Sequence, residues 1–192
     1  MKQHFMVRPT RIFIWVSALS LLVVMGGFLS GQAVAKSARE IDVSVNVAID
    51  RFYKKVANAR KLVQSAKGML VMPNVVKAGF IIGGEYGEGA LRIGGKTVDY
   101  YNIAAGSFGL QIGGQAMDII LLFMENDALN DFRASDGWEV GVDGNVALIT
   151  VGAGETATTT LANKPILGFV LDVKGLMADI SIKGSKFSKI ER

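Results

Sequence analysis

The chain has 192 residues, with 21 Lys and Arg against 17 Asp and Glu, one His and no Cys. That length fits one domain with an appendage, and a half-hydrophobic composition excludes a disordered chain. The lack of Cys excludes disulfides, cysteine nucleophiles and thiolate metal sites. The net charge of +4 hints at nucleic acid only until its location along the chain is known.

Lys2, Arg8 and Arg11 make a positive start without an acid, Ile12 to Met25 is almost wholly apolar, and Ala33-Val34-Ala35 is a small-x-small sequence. This three-part pattern predicts a Sec signal peptide over residues 1–35, cleaved after Ala35, and a periplasmic or peripherally envelope-associated protein. The alternative is an uncleaved anchor, but the apolar run falls short of the ~20 residues of a spanning helix. Cleavage takes the bases from 21 to 18 against 17 acids and removes His4, the only histidine. Nucleic acid is then no longer indicated. A Ser-His-Asp triad, a zinc site and a histidine base are excluded as well.

From Glu40 to Lys67 the spacing predicts one amphipathic helix, with Val45, Ile49, Phe52, Val56, Ala59 and Val63 on a single stripe. Gly68 would stop it and Pro73 would prevent a restart. Short apolar runs then alternate with glycine-rich turns: Val75–Ile82, Ala90–Ile93, Thr97–Ile103, Ser107–Ile112, Met117–Met124, Glu139–Val142, Val146–Val151, Thr156–Leu161, Ile166–Val170 and Leu176–Ile182. Gly-Gly at 83–84, 94–95 and 113–114, with Asp143-Gly144 and Lys183-Gly184, read as turns. Glu125 to Ala134 reads as a short inserted helix facing inward through Ala128, Leu129 and Phe132. The expected fold is α+β: a predominantly antiparallel β body, sandwich or barrel-like, with an N-terminal amphipathic helix, forming one domain over 36–192. Its helix, residues 36–67, holds eight bases and three acids, and the rest of the domain ten bases and fourteen acids. Either the helix pairs with the body, or its bases face anionic headgroups.

The remaining motifs carry little chemistry. Gly94-Gly95-Lys96-Thr97 lacks the first glycine and the following helix of a phosphate loop. Glu85 and Glu88 form a conceivable carboxylate pair for hydrolysis, with solvation in a glycine turn as the plainer reading. The acids between Glu125 and Asp143 contain no twelve-residue calcium loop. Trp138, Tyr100 and Tyr101 read as packing, and Met117–Met124 as a strand buried on both faces or the wall of an apolar cavity. No catalytic residue, metal or cofactor is expected.

Ala66 to Gly95, with Lys-Gly-Met-Leu-Val-Met-Pro-Asn-Val-Val-Lys-Ala-Gly-Phe at 67–80, resembles the opening of the SYLF domain family. Gly109-Leu-Gln-Ile-Gly-Gly-Gln-Ala-Met-Asp, Gly137-Trp-Glu-Val-Gly-Val-Asp-Gly-Asn-Val and the segment from Gly175 to Lys186 continue the resemblance in order. It implies lipid binding helped by a basic N-terminal helix, and in the yeast members actin binding. With its signal sequence the chain is similar to a secreted bacterial branch. The corresponding positions are Arg51, Lys54, Lys55, Arg60, Lys61, Lys67 and Lys77, with Phe52 or Tyr53 available for insertion. The expected partner is an anionic phospholipid or other lipid at a membrane surface, and the protein is expected to be non-enzymatic. A protein-interaction module, docking an envelope partner or host actin, is the alternative.

Overall fold

The computed structural model describes residues 36–80, 82–108, 113–151, 164–175 and 181–192. The expected signal segment, the expected strand Thr156–Leu161 and most of Leu176–Ile182 lie outside these residues.

Helix α1 spans Ala38–Lys55. Ser37 starts it through a capping box, since its hydroxyl accepts from the Glu40 backbone N–H while Glu40 Oε2 accepts from the Ser37 N–H at 2.7 Å. Ile41, Val45, Ala48 and Phe52, spaced 4, 3 and 4, are fully buried. This tertiary contact outweighs the weak helix propensity of Val43, Val45 and Val47, of which Val43 and Val47 face solvent.

The single helix expected to Lys67 is in fact two. Helix α1 ends at Lys55, Asn58 takes a left-handed conformation at φ 59°, and α2 runs Ala59–Ser65. The bend keeps both Val56 and Ala59 buried in the core that holds Phe52. Asn tolerates this backbone better than any residue with a larger apolar Cβ substituent, and glycine tolerates it best. Asn58→Gly is therefore expected to keep stability within about 0.5 kcal/mol of the parent, and Asn58→Ala to lower it by about 1 kcal/mol. Urea denaturation midpoints measure both.

Among the described residues, eight strands form one curled sheet, a half-barrel. They are β1 (Gly68–Phe80), β2 (Ile82–Ile93), β3 (Lys96–Phe108), β4 (Gly113–Phe123), β5 (Trp138–Glu139), β6 (Ala147–Thr150), β7 (Ile166–Gly175) and β8 (Lys186–Ile190). Their order is β5-β8-β3-β2-β1-β4-β7-β6. All pairs are antiparallel except β6 with β7, which makes the sheet mixed. Helix α3, Asn126–Ala134, follows β4 where the inserted helix was expected.

Strand β1 begins at Gly68, before Pro73 rather than after it. Pro73 lacks an N–H, but it sits where the register with β2 and β4 breaks, so no ladder bond is forfeited. Asn74, at φ 52°, completes this bulge. The extra residue puts Leu70, Met72 and Val75 on one face, a spacing no regular strand gives.

Gly83-Gly84 and Gly113-Gly114 are strand residues, not turns. Gly84 pairs with Ala78 on one side and Gly106 on the other. Further along β2, a Cβ on Gly89 would stand 2.0 Å from the Val71 carbonyl oxygen, so glycine there permits close approach to the bulged strand. Gly94-Gly95 is a true two-residue hairpin turn, with φ of 58° and 79°.

Alternate residues feed two cores, one on each face of the sheet. On one face Leu70, Ile103, Leu121 and Phe187 meet α3 through Leu129 and Phe132, with Trp138 beside them. On the other face Val71, Ile120, Leu122 and Phe169 meet α1.

Candidate functional site

The bend between α1 and α2 carries Lys54, Arg60, Lys61 and Lys67, all exposed. The Arg60 guanidinium lies 4.4 Å from the Tyr53 ring centroid, a cation–π contact that fixes its position. Of the expected insertion residues, Tyr53 is half-buried. Phe52 is not a surface residue: it is fully buried, edge-on to Phe169 at 4.9 Å. Its place in the 4-3-4 stripe is what puts it in the core.

Arg51 and Lys55 do not stand free either. Arg51 Nη2 lies 2.9 Å from Asp118 Oδ2, its Nε lies 3.6 Å from Asp172 Oδ2, and Lys55 bonds the other Asp172 oxygen. Asp118 also accepts the Asn74 N–H at 2.9 Å. Burial pushes the Asp118 carboxyl up, against the lowering by Asn74 and Arg51. The Lys55 hydrogen bond holds Asp172 down. This clasp ties the end of α1 to bulges in β1 and β7, so part of the helix charge pairs with the body.

Lys77 is buried on the opposite sheet face. It lies in one row with Gln115 and Glu85, and its Nζ donates to the Ser181 carbonyl at 3.2 Å. Burial pushes the Glu85 carboxyl up, opposed by Lys77 and by the Ser185 hydroxyl. Glu88 is also buried, but Tyr86 and Arg192 hold it, at 2.7 and 2.6 Å. Three residues apart along β2, Glu85 and Glu88 point to opposite faces. The turn expected to bring them together does not exist, and no carboxylate pair forms.

A groove of about 650 Å³ lies beside the bend. Its floor is the start of β1 and the β2–β3 turn, and its walls are α1 and α2. Ile49, Tyr53, Val63 and Met69 supply apolar surface, and Asp50, Lys67 and Arg92 supply charge. Arg92 makes two contacts of 3.4 Å, to Gly95 O and Asp42 Oδ1. Asp42 is held more closely by Thr97 at 2.7 Å and Tyr100 at 2.9 Å. The groove is absent from the sequence reading because it exists only once the helix bends at Asn58. Gly94-Gly95, which the sequence marks as a turn, is its one local signal.

Among known families, residues 104–191 match the model described as Ysc84, Las17-binding protein actin regulator. No curated protein matches the chain. The match runs from the end of β3 through β8 and takes in three of the four segments that carry the SYLF resemblance. Ysc84 is the SYLF domain, a family of binding rather than catalytic domains associated with lipids and actin regulation. Over residues 104–191 the chain thus matches the SYLF family.

Proposed function

We propose that the protein is a non-enzymatic lipid-binding protein of the bacterial envelope, exported by the Sec pathway, that binds anionic headgroups at the α1–α2 bend. The observation that carries this reading is the set of exposed cations there, Lys54, Arg60, Lys61 and Lys67. The acids of α1 offset them little. Glu40 is engaged in the capping box and Asp42 with Thr97 and Tyr100, which leaves Asp50 as an exposed acid. Arg51, Lys55 and Lys77 serve the fold instead. Each cation near an anionic surface contributes about 1 kcal/mol, so Lys54→Ala/Lys61→Ala is expected to weaken binding roughly 30-fold. Sedimentation of the purified protein with phosphatidylglycerol–phosphatidylethanolamine vesicles measures this. Binding should also fall as salt rises. A protein that stays in the supernatant at low salt, or a double variant that binds like the parent, removes the reading.

The description of the matched family, an actin regulator, favours a second reading as a protein-interaction module. Co-sedimentation with filamentous actin tests it, and an unchanged supernatant rejects the actin form.

A further inference from the structure

The groove at the bend is built differently from a surface that merely attracts headgroups. Its volume falls within the about 300–1,000 Å³ typical of small-molecule sites. Ile49, Val63, Ala66 and Met69 line it, apolar surface that gains by leaving water. Its charged groups are Lys67 and Arg92, with Asp50 from α1. A guanidinium has five donors, and Arg92 Nη1 and Nη2 each make one long contact of 3.4 Å, so the guanidinium is weakly held there. Lys67 is exposed and Gly94-Gly95 is open, with no atom of the described residues within 4 Å of where a Cβ would stand. An acidic head has room and partners there, and Asp50 repels it from its own position on α1.

We propose that this groove takes one single-chain amphiphile with an anionic head. The chain lies along Ile49, Val63 and Met69, and the head sits beside Lys67 and Arg92. The proposal rests on the lipid-binding reading and deepens it, from attraction to a membrane surface to capture of one molecule. A fatty acid and a lysophospholipid share this chemistry.

Displacement of a fluorescent anthroyloxy fatty acid from the purified protein tests it, with oleate and lysophosphatidylglycerol as competitors below their micelle concentrations. Saturable one-to-one binding is expected, displaced by at least one competitor, and the stronger competitor identifies a carboxylate or a phosphate head. Val63→Trp and Gln64→Trp fill the groove and keep every cation. Gln64 is exposed, so its variant folds even if the first does not. Both are expected to weaken the probe at least tenfold and to leave vesicle sedimentation unchanged. Absence of saturable binding, or equal affinity in the parent and Gln64→Trp, overturns the proposal. Vesicle sedimentation that persists in that case leaves the headgroup reading standing, so the two failures are distinct.

Discussion

Phe132→Ala is expected to lower the stability of the protein by about 3–5 kcal/mol, the cost of removing a fully buried phenyl ring. Phe132 projects from α3 into an aromatic cluster. Its ring centroid is 4.8 Å from Tyr101, 4.9 Å from Phe123, 5.5 Å from Trp138 and 6.2 Å from Phe187. Those partners come from β3, β4, β5 and β8, so one ring ties the β5-β8-β3 end of the sheet and the interior strand β4 to the short helix. Truncation leaves a cavity that rigid strands cannot close. Urea denaturation followed by Trp138 fluorescence measures the loss, because that indole contacts the ring removed. Phe132→Leu keeps most of the volume and is expected to cost about 1–2 kcal/mol. Equal losses for the two would mean that the cluster is not close-packed.

The elements legible in the sequence are those set by local periodicity. The stripe through Val45 and Phe52, the inserted helix, and the strands at Thr97–Ile103, Met117–Met124 and Ile166–Val170 all follow from it. Failures fall where a distant contact decides. Gly83-Gly84 and Gly113-Gly114 look like Gly94-Gly95 in sequence. A glycine that lets strands lie close and a glycine that turns the chain obey the same local chemistry. Pro73 normally ends a strand. Here it is accommodated because β2 and β4 both shift register beside it, which residues 68–80 alone do not encode.

The same division runs through the site. Lys54 at the end of α1 and Arg60 and Lys61 on α2 face solvent, and Lys67 is exposed in the connection from α2 to β1. Arg51, Lys55 and Lys77 share their composition but not their fate. Their partners Asp118, Asp172 and Ser181 arrive from β4, from β7 and from the segment before β8. Charge counting sees eight bases on residues 36–67, and folding pairs two of these, Arg51 and Lys55, with acids of the sheet.

Arg51→Met should therefore act on stability and not on lipid binding. Asp118 is nearly inaccessible, and its strongest charged partner is the Arg51 guanidinium at 2.9 Å. Removing that partner leaves a buried carboxylate with the Asn74 N–H and the more weakly acting Lys174, a loss expected to reach about 3–5 kcal/mol at pH 7. The pH dependence has a definite sign. Burial already raises the Asp118 carboxyl above its ordinary value, and loss of Arg51 raises it further. The folded variant then binds a proton more tightly than the unfolded chain. Its penalty is complete above the folded value and shrinks as pH falls toward the ordinary value near 4. In the parent, Asp172 is held below its ordinary value, so its contribution is present above that range and fades as pH falls through the depressed value. The gap between parent and variant should be widest at neutral pH and narrow between pH 7 and 4.5 in urea titrations. Arg51→Met/Asp118→Asn keeps an acceptor for Asn74 without the stranded charge. It should recover most of the loss and lose the pH dependence. A loss independent of pH, with no recovery in the double variant, would mean that Arg51 acts by packing alone. Below its unfolding transition Arg51→Met should still sediment with anionic vesicles like the parent, which separates the clasp from the free cations at the bend.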